Sequence, residues 1–155
     1  HYYYTWLHRV EKITETIKWK YPWLPAICAK FKDNMHLLAA HPTFIHGEYY
    51  TKNILVANGT IYPVDWESAA IGPGEIDLAC LMEGWDPARK KAAFESYIKT
   101  RWPGYSFPKE QFETRLLLAK IYLFLRWTGE YDDPGVWINR TRWFESFYDS
   151  VSEIH

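Results

Sequence analysis

The stretch that decides the reading is residues 44–81, Phe44-Ile-His-Gly-Glu-Tyr-Tyr-Thr-Lys-Asn-Ile-Leu-Val-Ala-Asn-Gly-Thr-Ile-Tyr-Pro-Val-Asp-Trp-Glu-Ser-Ala-Ala-Ile-Gly-Pro-Gly-Glu-Ile-Asp-Leu-Ala-Cys-Leu81. Ile54 to Val56 and Ile61 to Val64 are aliphatic or β-branched and read as two strands. Asn58-Gly59 between them is a hairpin signal, because a tight primed turn needs positive φ at both central positions and these two residues tolerate it. Folding the hairpin brings Asn53, before the first strand, close to Asp65, at the end of the second. Glu48 stands five residues upstream of Asn53, in a loop after the short apolar run Thr43 to Ile45. Two carboxylates and an amide oxygen then converge at one edge of the hairpin. Hard oxygen donors in this number suit Mg²⁺, which takes one or two protein ligands and completes its shell with phosphate oxygens and water.

His46-Gly47-Glu48, four residues, Asn53, and then an Asp closing the next strand resembles the catalytic and metal-binding segments of the kinase-like phosphotransferases, above all the aminoglycoside phosphotransferase and choline kinase group. The resemblance implies Glu48 as the base that orients a substrate hydroxyl and accepts its proton. It implies Asn53 and Asp65 as ligands of Mg²⁺ ions bridging the phosphates of ATP. His46 becomes an orienting residue of the loop. Asp77, in Gly72-Pro-Gly-Glu-Ile-Asp77, becomes the helix residue that accepts the loop's backbone N–H groups. Favourable placement of an acid in the first turn of a helix accounts for Asp77 equally simply.

Two departures stand out. The family's usual Asp is Glu48 here, one methylene longer, which changes reach rather than acid–base chemistry. Two residues further on, where many relatives carry Lys or His beside the transferred phosphate, this chain has Tyr50, and Lys52 is the nearest substitute for that charge.

The resemblance runs from about residue 1 to 130, strongly at 44–81 and elsewhere only by helix pattern. Trp6, Val10, Ile13 and Ile17 recur at helical spacing up to the stop at Tyr21-Pro22. A second helix starts near Pro25, carries Ile27, Cys28, Phe31, Met35 and Leu38, and ends at His41-Pro42. Residues 67–74 read as a loop, followed by a helix from Glu75 or Ile76 to about Met82. Asp86-Pro87 is an N-cap with a first-turn proline, opening a helix to about Trp102. Pro108 opens a long helix to about Gly129, and a last helix runs from Val136 to about Val151. The expected fold class is α+β and mainly helical. It is a single kinase-like C-terminal lobe over 1–155 with a small β-hairpin insertion. Two helices before residue 41 leave no room for the sheet-bearing N-terminal lobe that covers the nucleotide phosphates in these enzymes. That lobe of the same protein is therefore the expected partner, and the C-terminal lobe alone is expected to transfer no phosphate.

Composition narrows the alternatives. The chain has 155 residues, 48% hydrophobic and 24% charged, which is enough for a packed core. A net charge of −1 lacks the basic excess of a nucleic-acid surface. Leu116 to Leu125, the most apolar run, is interrupted by Lys120 and too short for a bilayer. Cys28 and Cys80 show no Cys-x-x-Cys spacing and read as reduced, packed residues of a cytoplasmic protein. No His/Cys cluster has zinc-ligand spacing. The unusual figure is 19% aromatic, which serves either as core or as a ligand-facing wall. Glu130, Asp132 and Asp133, beside Trp127 and Tyr131, suit a cationic amino sugar or amino alcohol as the hydroxyl acceptor, but a solvated turn between helices explains the same residues with no ligand and is the preferred reading. Glu67 is the candidate substrate contact nearer the metal ligands. Two functions follow: a phosphotransferase moving the γ-phosphate of ATP to a small-molecule hydroxyl, or a catalytically silent kinase-like binding module. Glu48 and Tyr50 favour the second, while Asn53 and Asp65 together favour the first, since a purely structural lobe has no physical need for both.

Overall fold

The computed structural model describes residues 2–104, 109–131 and 133–152. In order, the elements are α1 (Tyr2–Ile17), α2 (Leu24–Ala39), β1 (Pro42–Ile45), β2 (Ile54–Ala57), β3 (Thr60–Pro63), β4 (Ala70–Pro73), α3 (Glu75–Leu81), α4 (Pro87–Arg101), α5 (Lys109–Gly129), α6 (Pro134–Ile138) and α7 (Thr141–Ser152). The protein is mainly helical with small antiparallel sheets. It forms two compact units, one of residues 1–37 with 120–155 and the other of residues 38–119.

The first unit is built by aromatic packing. α1 buries Leu7, Val10, Ile13 and Ile17, and these meet the helical spacing expected of an amphipathic face. Tyr21, Phe31, Phe124, Trp137 and Phe144 are in its core. Tyr21 stacks on Phe144 with ring centroids 4.2 Å apart, and Phe124 stacks on Phe147 at 3.8 Å. The Tyr21 hydroxyl donates to the Trp137 carbonyl at 3.1 Å, so the polar tip of a buried ring is satisfied. These rings are core.

The helix expected over 136–151 is two helices. Asp133 caps α6 by accepting the Gly135 N–H at 2.8 Å, and Pro134 takes the first turn. Asn139 and Arg140 then separate α6 from α7. The acidic turn is thus shorter than its sequence suggests, because Pro134 and Gly135 belong to a helix. Pro108, the expected start of the long helix, lies outside the described residues.

The second unit carries two separate two-stranded sheets. β2 and β3 form the expected hairpin, with Ile54 opposite Pro63 and Ala57 opposite Thr60. Asn58 and Gly59 make its turn with φ of 51° and 74°. The other sheet corrects the reading of 67–74 as a loop. Trp66–Ser68 is a 3₁₀ turn and Ala70–Pro73 is β4, antiparallel to β1, with Phe44 opposite Ile71 and Thr43 opposite Gly72. A segment with two glycines and a proline has little intrinsic strand preference, so pairing with β1 decides it. The tip of the Ile45 side chain packs over Gly72, where a Cβ would sit 2.8 Å from the Ile45 Cδ1.

Beside these sheets α3, α4 and the first half of α5 enclose a small core of Leu78, Met82 and Phe112, ringed by Phe94, Tyr97, Ile98 and Trp102. Asp86 caps α4 by accepting the Arg89 N–H at 3.0 Å. The start of α3 is tied to α5 by a buried ion pair. Arg115 Nε donates to Glu75 Oε1 at 2.7 Å and Nη2 donates to Oε2 at 3.1 Å. Such two-point pairing fixes orientation as well as distance.

Candidate active site

The site lies within the second unit, where β1 delivers residues 46–48, the hairpin delivers 53 and 65, and α3 delivers 77. Its frame is a set of hydrogen bonds closing on the loop 46–48. Asp77 Oδ2 accepts the His46 N–H at 2.7 Å, and Oδ1 accepts the Gly47 N–H at 2.8 Å. One carboxylate therefore holds two consecutive peptide groups, a contact that helix-dipole placement alone does not require. Burial pushes the Asp77 carboxyl above its ordinary value, and the two backbone N–H groups pull the other way.

The His46 ring spans the loop and the hairpin. Its Nδ1 accepts the Glu48 N–H at 3.3 Å, and its Nε2 lies 2.9 Å from the Val64 carbonyl. A backbone N–H can only donate, so the arrangement is satisfied by the tautomer with its proton on Nε2. Val64 in turn donates its N–H to the Asn53 carbonyl at 2.9 Å, extending the ladder by one step beyond β2 and β3. Asn53 is buried, and its amide nitrogen donates to the Glu48 carbonyl at 3.0 Å. That bond uses the nitrogen, so the amide oxygen is the atom left for a cation.

Asp65 follows immediately, with φ 68° and ψ 59°, a left-handed conformation that Asp tolerates better than most residues. It is exposed, and the chain turns there out of β3 into the 3₁₀ turn Trp66–Ser68. Glu67 is exposed on the same turn. The Glu48 side chain is buried, and its Oε1 accepts the Ser68 hydroxyl at 2.7 Å. Gly47 is required where loop and turn meet: its φ is +85°, and a Cβ on it would run into the Ser68 carbonyl oxygen.

Of the residues singled out in the sequence, His46, Glu48, Asn53, Asp65 and Asp77 thus come together in one region of one unit. Glu130 and Asp133 fall in the other unit, where Asp133 is a helix cap and the neighbouring Tyr131 ring takes the Arg140 guanidinium at 5.8 Å. Asp132 lies outside the described residues. The Lys52 ammonium sits 5.6 Å over the Tyr50 ring, and Tyr50 hydrogen-bonds the Cys80 thiol. Burial, with the Asp77 carboxylate adding to it, pushes that thiol up to about 12. Ser68 and the Glu75–Arg115 pair are absent from the sequence reading. Ser68 stands 20 positions from its partner and the ion pair spans 40, and neither separation has a local signature.

Among the described residues no group of three or more His, Cys, Asp or Glu side chains is placed to hold a metal ion. The donors that fit Mg²⁺ are instead one amide oxygen and one carboxylate, on adjacent ends of the hairpin, a set sufficient for a cation that keeps water and phosphate in its shell. Nor is any described helix long and apolar enough to cross a membrane.

No curated protein and no solved structure matches the chain. The family model of the phosphotransferase enzyme family (APH) matches residues 6–110, which contain every element of the hydrogen-bond frame. The chain belongs to this family, the aminoglycoside phosphotransferase and choline kinase-like phosphotransferases.

Proposed function

We propose that this chain is the C-terminal lobe of an ATP-dependent small-molecule kinase and that residues 46–77 perform its phosphoryl transfer. The observation that carries the proposal is the hold of Asp77 on the His46 and Gly47 amides, at 2.7 and 2.8 Å, which fixes the loop bearing Glu48. In this reading Glu48 accepts a hydrogen bond from the acceptor hydroxyl and takes its proton as the oxygen–phosphorus bond forms. The bond from the γ-phosphorus to the bridging oxygen breaks, and its electron pair leaves with ADP. Asn53 and Asp65 are the residues that would hold Mg²⁺. Bound there, the ion supplies positive charge against the charge on the transferring group. The protein's own contribution is positioning, which is the larger share of catalysis for this reaction.

The part of the nucleotide site that covers the phosphates belongs, on the same reading, to a sheet-rich N-terminal lobe of the same protein. The acceptor is a small molecule with a free hydroxyl, of the amino sugar or amino alcohol class, and Glu67, exposed on the turn after Asp65, is the acid that meets its amine. Two free, buried cysteines suit a cytoplasmic setting.

The test is Mg²⁺-dependent ATP turnover by the full-length protein that carries this chain, across a panel of amino sugars and amino alcohols. Glu48→Gln and Asp65→Ala are assayed beside the wild type. Acceptor-dependent turnover that falls about a hundredfold or more in both variants is the expected result. Binding of acceptor with no turnover above the Asp65→Ala background overturns the enzyme reading and leaves a silent binding module.

A further inference from the structure

A glutamate carboxylate sits at the end of three rotatable bonds, and a loop that holds only its backbone leaves that end free to move. Asp77, His46 and Asn53 all bond the backbone of residues 46–48, and the carboxylate at the tip of the Glu48 side chain is a separate point to hold. The turn after Asp65 reaches it. Ser68 Oγ donates to Glu48 Oε1 at 2.7 Å, a short bond to a charged acceptor. The turn itself is held against the loop at two further points. Gly47 approaches the Ser68 carbonyl so closely that no side chain fits. Trp66 places its ring 4.6 Å from His46 and stacks on Phe44 at 5.8 Å. The hydroxyl is therefore presented from a braced position rather than from a loose surface loop.

We infer that Ser68 is a positioning residue for phosphoryl transfer: its hydroxyl fixes the orientation of the Glu48 carboxylate toward the acceptor hydroxyl. The inference rests on the reading of Glu48 as the proton acceptor. It also couples the two halves of the site. The left-handed turn at Asp65 that ends the hairpin is the same turn that carries Ser68 back to Glu48, so the cation ligand and the base are set by one piece of backbone.

The test is steady-state kinetics of the full-length protein with Ser68→Ala, Ser68→Thr, Glu48→Asp and the double variant Ser68→Ala/Glu48→Asp. Melting curves check that each is folded. Ser68→Ala is expected to lower kcat about ten- to a hundredfold, the range of a lost hydrogen bond to a charged group, with KM for ATP within about twofold. Ser68→Thr keeps the hydroxyl and is expected to restore most of the rate. In the Glu48→Asp background the shorter side chain no longer reaches the hydroxyl, so adding Ser68→Ala is expected to change kcat by less than about threefold. Wild-type turnover with a fully active Ser68→Ala overturns the role of Ser68 alone. So does an equal loss in both backgrounds, which marks a structural effect independent of the carboxylate. A wild type without acceptor-dependent turnover overturns the reading of Glu48 and, with it, the role of Ser68.

Discussion

Asp77 accepts two backbone N–H bonds as a carboxylate, yet burial makes that charged form costly, and its carboxyl sits above the ordinary value of 3.8. The folded chain therefore binds this proton more tightly than the unfolded chain. The resulting stability is fully present below the ordinary value and is lost as pH rises through the raised one. Wild type should gain stability relative to Asp77→Asn as pH falls from 7 toward 4, read from melting temperatures of both proteins across that range. The ionised form is nonetheless the one that holds both amides. Asn offers one acceptor oxygen where Asp offers two, so Asp77→Asn should speed amide hydrogen exchange at His46 or Gly47 by about tenfold. Unchanged protection at both amides would mean that the loop is held by other contacts. The residue types here were legible in the sequence. The direction of the Asp77 shift was not, because it depends on how deeply α3 and the loop bury the group.

At the scale of elements, α3 is only seven residues long, and its placement is decided by what flanks it. Glu75, in its first turn, forms the buried pair with Arg115 of α5, with side chains 1% and 5% exposed. Two residues later comes Asp77, so the pair that orients the helix start also aims the carboxylate that holds the loop. Removing one partner strands a buried charge, which costs about 3–5 kcal/mol. Arg115→Met should therefore destabilise strongly in chemical denaturation, while Glu75→Leu/Arg115→Met should recover much of the loss. A double variant no better than the single one would show that the packing, and not the charge, is what matters. The hairpin was readable from Asn58-Gly59 because its geometry is local. The β1–β4 sheet was not, because Ala70-Ile-Gly-Pro73 acquires strand structure only from a partner distant in the chain, Ile45 lying opposite Ala70 and Pro42 opposite Pro73.

For the molecule as a whole, the two cysteines report on the two units separately, Cys28 in one and Cys80 in the other. Burial raises both thiols, to about 11 for Cys28 and about 12 for Cys80, so neither forms thiolate near neutral pH. A thiol reagent at pH 7.5 should label neither residue in the native protein and both after denaturation. Partial denaturation that exposes one cysteine before the other would identify the less stable unit. Fast labelling of the native protein would contradict the buried placement.

The sequence by itself determined the family, the mainly helical class, the hairpin and the identity of the residues that meet around it. Each of these rests on short-range signals: helical spacing, a two-residue turn, and a motif whose members lie within 38 residues, from 44 to 81. Only the tertiary structure decided that 66–73 is a turn and a strand, that Ser68 meets Glu48, and that Arg115 meets Glu75. Those outcomes depend on contacts between residues far apart in the chain. No local preference encodes them, because the energy that selects them appears only when the segments are packed together.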